Sequence, residues 1–176
     1  VTVTVNTTDP TAGITNNTGS KVITCSTTSI SVTATGGDTY KWSGGLGTKA
    51  AATISAAGTY TVTATTTSNG CTDTESITIT KDVSAPTAAA GTDFTKTCTS
   101  NASGKAIGAA AVSGETYSWS PTKGLDDATK ANPTADPAAT TTYTVTATKT
   151  STGCTDTDDV TVTVNTTDPT AGITNN

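Results

Sequence analysis

The 176-residue chain has no His, Arg, Met or Gln, only two Leu (Leu46 and Leu125) and a single Phe, Phe94. Each absence excludes a class of chemistry. Without His there is no Ser-His-Asp or Cys-His constellation and no imidazole ligand for zinc. Without Arg, and with nine scattered Lys, there is no basic stripe to neutralise a nucleic-acid backbone. No run approaches the roughly 18 apolar residues of a membrane-spanning helix. Neither a GxGxxG nor a Walker-type loop is present to cradle phosphate. Nor is there a charged and then apolar leader; the chain begins in what reads as mid-strand, as a segment of something larger would.

Paired carboxylates such as Asp126-Asp127 and Asp158-Asp159 could serve acid–base chemistry, but no apolar pocket is legible to raise a carboxyl pKa. Solvated charge is the simpler reading, and the expectation is a chain that is not an enzyme.

What is abundant is threonine, 50 residues of 176. Low hydrophobicity implies disorder when charge is high or pattern is missing. Here the net charge is only −5, and apolar residues alternate with Thr, whose β-branched side chain suits a pleated surface. An ordered, thin-cored, all-β protein follows.

Two levels of repetition organise it. Residues 1–17 and 160–176 are the same string, VTVTVNTTDPTAGITNN, offset by 159 residues. Inside that period lies a diverged repeat. TYKW (39–42) matches TYSW (116–119), and GTYTVTATTTSNGCTDTESITIT (58–80) matches TTYTVTATKTSTGCTDTDDVTVT (141–163). Pro10, Pro86 and Pro169 mark three module starts, 76 and 83 residues apart. The second module is longer between Trp119 and Tyr143, where it carries LDDATKANPTADP. The expected division is 1–6, last strand of a preceding module; 7–82, module 1; 83–165, module 2; and 166–176, first strand of a following module.

Within module 1, Ile30/Val32/Ala34, Tyr40/Trp42, Tyr60/Val62/Ala64 and Ile77/Ile79 alternate with polar residues, as half-buried strands do. Gly36-Gly37, Gly44-Gly45, Gly58, Asn69-Gly70 and Thr152-Gly153 read as turns. About seven strands per module predict two tandem immunoglobulin-like β-sandwiches cut from a longer array. Trp42 and Trp119 are expected as core residues on a central strand. Tyr60 and Tyr143 are expected in the core at the start of the next long strand, where a tyrosine corner sits.

Four cysteines, Cys25, Cys71, Cys98 and Cys154, form no CxxC pair. Disulfides would staple a thin core and imply an oxidising, extracellular location. Of three connectivities, the in-order pairing Cys25–Cys71 and Cys98–Cys154 is expected, each bridge contributing about 4 kcal/mol by closing a long loop. The one cofactor that the acids suggest is structural calcium near the module junctions, with Asp73, Glu75, Asp82, Asp156 and Asp158 as weak candidates. No DxDxDG loop supports it, and scattered acids otherwise simply solubilise. The Asn-x-Ser/Thr sequons of a Thr-rich chain arise by chance.

The stretch TYSWSPTKGLDDATKANPTADPAATTTYTVTATKTSTGC resembles the Ig-like/PKD-like tandem repeats of giant surface proteins in Bacteroidota. These combine Y-x-W-x-P, a GL turn, TTTYTVTV and a later GC, here Tyr117, Trp119, Pro121, Gly124-Leu125, Thr140 to Val145, and Gly153-Cys154. The first module departs from the pattern at Gly44, where Pro would stand, and in its shorter loop after Leu46. The resemblance implies cell-surface filaments, gliding-motility adhesins of the SprB type among them, exported by type IX secretion.

Three functional readings remain. The first is a structural repeat of a long extracellular filament or adhesin stalk, whose partners are adjacent identical repeats of the same filament. The second is an adhesin module that binds carbohydrate, for example a surface polysaccharide; it requires exposed aromatics, Trp42 or Trp119 above all. The third is a set of separate subunits polymerised by donor-strand exchange.

Overall fold

The computed structural model describes residues 1–167, which form thirteen strands and no helix. The chain divides into two compact units, Val1–Val83 and Ser84–Asn176. That division falls one residue from the junction expected at 82/83. Most of the expected strand 166–176 lies outside the described residues.

Unit 1 has seven strands: β1 (Gly13–Asn16), β2 (Val22–Ile23), β3 (Ile30–Thr35), β4 (Thr39–Trp42), β5 (Ala51–Ile54), β6 (Gly58–Thr65) and β7 (Thr72–Lys81). They make a three-stranded sheet, β1-β3-β5, and a four-stranded sheet, β2-β7-β6-β4. The apolar members of each alternating run turn inward. Ile30, Val32, Ile54, Val62 and Ile79 are fully buried in one cluster with Trp42, and Ile14, Tyr40, Leu46 and Tyr60 pack on its margin. Each fully buried Val or Ile contributes about 1.5–3 kcal/mol, so a few residues supply most of the burial energy of this core.

Unit 2 has six strands: β8 (Phe94–Thr97), β9 (Lys105–Ala106), β10 (Glu115–Ser120), β11 (Thr134–Ala135), β12 (Thr141–Lys149) and β13 (Thr155–Asn165). The sheet β10-β12-β13-β8 repeats the four-stranded sheet of unit 1. Only the short pair β11-β9 stands for the three-stranded one, extended by a bridge between Leu125 and Ala135. Here the longer loop fills the core itself: Ala131, Pro133 and Ala135 are buried beside Ile107 and Trp119. Both units are immunoglobulin-like β-sandwiches, all-β throughout.

Threonine forms the outer faces. Across the β6–β7 hairpin Thr59 meets Thr78 at 3.0 Å and Thr61 meets Ser76 at 2.9 Å, and across β12–β13 Thr142 meets Thr161 at 3.0 Å. Each pair is directly opposite in register. Such cross-strand hydroxyl pairs are the sheet's own stabilising unit.

The tryptophans are buried as expected, but not on central strands. Trp42 lies on β4 and Trp119 on β10, each the edge strand of its sheet. An edge position suffices because the indole reaches inward, and its Nε1 donates to a carbonyl in the loop that follows, Lys49 at 3.0 Å and Lys130 at 2.9 Å. Tyr143 is fully buried, its hydroxyl donating to Lys123 O at 2.8 Å. Tyr60 is only half-buried, its hydroxyl donating to Ala56 O at 3.0 Å, four residues upstream.

Candidate functional site

The chemistry-bearing residues collect at the two ends of each sandwich, here called the entry pole and the exit pole. In unit 1 the chain enters beside the β6–β7 turn. Asn69 Nδ2 donates to Thr8 O at 3.0 Å and to Asn6 Oδ1 at 3.4 Å. Asp73 Oδ2 then accepts the Ala12 amide at 2.8 Å. Unit 2 repeats the device at its own entry pole. Asp156 Oδ2 accepts the Ala88 amide at 2.9 Å, and Asp158 Oδ2 accepts the Ala90 amide at 2.8 Å. Ala12 and Ala88 each stand two residues after a module's Pro, and Asp73 and Asp156 each stand two residues after a Cys. One latch therefore recurs at equivalent positions. It works because a carboxylate accepts a backbone N–H more strongly than a neutral acceptor does.

These contacts also place the expected calcium residues. Asp73, Asp156 and Asp158 hold backbone amides, while Glu75 is exposed on β7 and Asp82 follows β7 at the opposite end of unit 1. Within unit 1, Asp73 and Asp82 stand at opposite ends of β7, and among the described residues no group of three or more acids and cysteines could hold a metal ion. Position after the cysteine suggested a ligand set. The actual partners lie more than 60 residues away in the chain, on the entry segment, which no local spacing reveals.

The cysteines require a correction. Cys25 and Cys154 are half-cystines, whereas Cys71 and Cys98 carry thiols, so neither Cys25–Cys71 nor Cys98–Cys154 forms. Strand direction explains this. β2 runs parallel to β7 with Ile23 opposite Lys81, so Cys25 lies past the far end of β7, while Cys71 immediately precedes its ten-residue span. At about 3.3 Å per residue the two are roughly 30 Å apart. A disulfide needs Cα atoms within about 7 Å. In unit 2, β8 runs parallel to β13 with Thr97 opposite Asn165, so Cys98 and Cys154 likewise flank opposite ends of an eleven-residue strand. Each module thus presents one cysteine at each pole.

The surroundings of the two thiols differ. Partial burial pushes the Cys71 thiol above its ordinary value, and the negative charge of the Asp9 carboxylate beside it pushes it further. Cys98 is exposed at the exit pole, its Sγ donating to Thr166 O at 3.6 Å.

Beyond the poles, a shallow cleft of about 340 Å³ in unit 1 is lined by Lys41, Trp42, Ser43, Thr61 and Thr63 and holds no acid. In unit 2 a cleft of about 230 Å³ is lined by Pro121, which follows a cis peptide, and by Lys123, Pro137, Ala138, Ala139 and Thr141. It is smaller than the ~300–1,000 Å³ of ordinary ligand pockets and brings no acid or nucleophile to Lys123. The tryptophans that an adhesive face would need are 4% and 2% exposed. Among the described residues the exposed large apolar side chains are Val1, Val3, Val5, Val83 and Val112.

No protein-family model and no curated protein matches the chain. Among solved structures it is similar to the three N-terminal domains of the highly immunogenic outer capsid protein (Hoc) of bacteriophage RB49. The match is 17% identical with a TM-score of 0.42 and covers 89% of this chain and 59% of that one. The N-terminal eight Ig domains of Down Syndrome Cell Adhesion Molecule match at 12% identity and a TM-score of 0.40, over 89% of this chain and 25% of that one. Fibronectin(III)-like modules of Clostridium thermocellum CbhA match at 12% identity and a TM-score of 0.39, over 88% of this chain and 95% of theirs. The chain thus spans about three-fifths of the first of these structures and a quarter of the second.

Proposed function

We propose that the chain is a non-enzymatic structural repeat of a long extracellular cell-surface filament, built from tandem Ig-like modules within one polypeptide. The observation that carries this reading is the double life of one sequence. At 160–164, VTVTV is part of β13, with Val160 and Val162 buried between β12 and β8. At 1–5 the same five residues form no strand, and Val1, Val3 and Val5 are exposed. A tandem array would give every copy of this stretch the cover that Val160 and Val162 have.

The fold suits a load-bearing thread. In unit 2 the early strand β8 lies parallel to the last strand β13, with Phe94–Thr97 opposite Val162–Asn165. Pulling the chain apart along these strands loads their hydrogen bonds together, in shear, instead of one at a time. Asp93 extends the clamp by accepting the Thr161 amide at 2.8 Å. Modules that contact mainly their neighbours also let length grow by repetition.

The half-cystines favour an oxidising, extracytoplasmic location. The sequence resemblance extends the reading to giant surface proteins of Bacteroidota and, at its furthest, to a type IX-secreted gliding-motility adhesin. Burial of both tryptophans disfavours the carbohydrate-binding alternative. Electron microscopy of the native object tests the filament reading. A thread with two unlike modules per repeat supports it, and dispersed single particles of one or two modules overturn it.

A further inference from the structure

Cys71 and Cys98 are drawn to the same three residues of the repeat. Asn6-Thr7-Thr8 and Asn165-Thr166-Thr167 are one tripeptide, read once in each copy. In unit 2 this tripeptide leaves the exit pole: Asn165 pairs with Thr97, and Thr166 O receives the Cys98 thiol at 3.6 Å. In unit 1 it arrives at the entry pole: Asn69, two residues before Cys71, binds Asn6 and Thr8, and the next residue, Asp9, has its carboxylate beside Cys71. In a continuous array there is only one such tripeptide at each outer junction, so both sets of contacts fall on it at once. Cys98 then stands against the carbonyl of the middle residue, and Cys71 of the following period stands against the carboxylate two residues further on. Two residues of extended chain span at most about 7 Å. The two thiols are thereby drawn to points within about 7 Å of one another, a gap that two converging cysteine side chains can close.

The sibling positions point the same way. Cys25 follows β2 at the exit pole of unit 1 as Cys98 follows β8 at the exit pole of unit 2. Cys154 precedes β13 as Cys71 precedes β7. Both siblings are half-cystines.

Resting on the array reading, we propose that Cys98 of one period forms a disulfide with Cys71 of the next, so that each junction from a second-type to a first-type module is covalently bridged in parallel with its linker. The bridge forms by thiol–disulfide exchange with an extracytoplasmic disulfide oxidant. The exposed Cys98 attacks as a thiolate and displaces one sulfur of the oxidant. Cys71, deprotonated as the slower partner, then resolves the mixed disulfide. The two electrons and two protons of the thiols leave with the oxidant as a dithiol. Load on the thread then passes through two covalent paths at this junction, and the NTT linker is shielded from full extension.

The test is made on native filaments, alkylated under denaturing, non-reducing conditions and digested after lysine. The proposal predicts one linked species made of peptide 50–81, holding Cys71, and peptide 97–105, holding Cys98. That species disappears on prior reduction. A parallel sample, reduced and denatured, gives the polypeptide mass. Alkylated Cys71 and Cys98, or either one linked to a different cysteine, in a polypeptide that stays very large would overturn the bridge and leave the array standing. The linked species in a polymer that falls to chains of 17.3 kDa on reduction would overturn the array and this intrachain bridge together.

Discussion

Asp156 accepts the amide of Ala88 at 2.9 Å, clamping the segment that enters the second unit onto the strand that leaves it. Asp73 does the same to Ala12 in the first unit at 2.8 Å. A hydrogen bond to a charged group is worth about 1.5–3 kcal/mol, and these two are only part-buried. Asp156→Ala is therefore expected to destabilise unit 2 by about 1–2 kcal/mol, and Asp156→Asn, which keeps an acceptor, by less. The readouts are the denaturant midpoint and hydrogen exchange at the Ala88 amide. Unchanged protection of that amide in Asp156→Ala would show that the latch does not hold the entry segment.

Gly108 is a second point of close approach. Its φ is +80°, and a Cβ there would meet Ala131 O at 2.1 Å and the Trp119 ring at 3.0 Å. Gly108→Ala adds backbone strain of about 1–3 kcal/mol to overpacking of a similar size. A loss of about 2–5 kcal/mol is expected, with a red shift of Trp119 fluorescence as the ring is displaced. In contrast, Gly45→Ala meets no neighbour within 4 Å, although φ is +75°, and carries the strain alone.

The acid limb of stability has a defined source in unit 2. The Lys130 ammonium, bonded to Asp126 at 2.8 Å, holds that carboxyl below its ordinary 3.8, and the Thr134 amide adds to the effect. For a depressed acid, the stabilisation is present above the unfolded value and is lost as pH falls through it toward the folded value. The melting temperature is expected to be flat near neutrality and to decline below about pH 4. Asp126→Asn should soften that decline slightly, because the group is exposed and its ion pair weak. Lys130 is raised by the same pair, so its contribution is present below 10.5 and fades as pH rises further. An Asp126→Asn protein with a steeper acid limb would contradict the assignment.

The shear clamps of the two units differ in length. In unit 1 only Val22–Ile23 lies opposite Thr80–Lys81, whereas in unit 2 four residue pairs join β8 and β13. Single-molecule pulling under reducing conditions is expected to show two rupture classes, with unit 1 yielding at the lower force. Asp93→Ala should lower the force of the stronger class alone, since it removes the 2.8 Å bond to Thr161 from unit 2. Equal forces for both units would argue against the parallel pair as the mechanical element.

The alternating runs were legible because a half-buried strand imposes period two: Ile30, Val32 and Ala34 on β3, and Ile77 and Ile79 on β7, all turn inward. The weaker half of unit 2 was not legible. Its KAIGAAAV stretch offers little side chain to pattern, and β9 and β11 are only two residues each. The in-order cysteine pairing failed for a reason of direction. Proximity in sequence said nothing of the fact that Cys25 and Cys71 flank opposite ends of the same strand, because this depends on β2 running parallel to β7. The acids after each second cysteine were found as a group and misread in role, since their partners sit on a distant entry segment.

The central claim is that this repeat belongs to one continuous tandem polypeptide. Its most direct test is the mass of the native polymer after full reduction and denaturation. A covalent array predicts a single very large polypeptide, many times the 17.3 kDa of this chain, with no ladder beneath it. Chains near 17.3 kDa would contradict it and would instead establish separate subunits joined by exchanged strands.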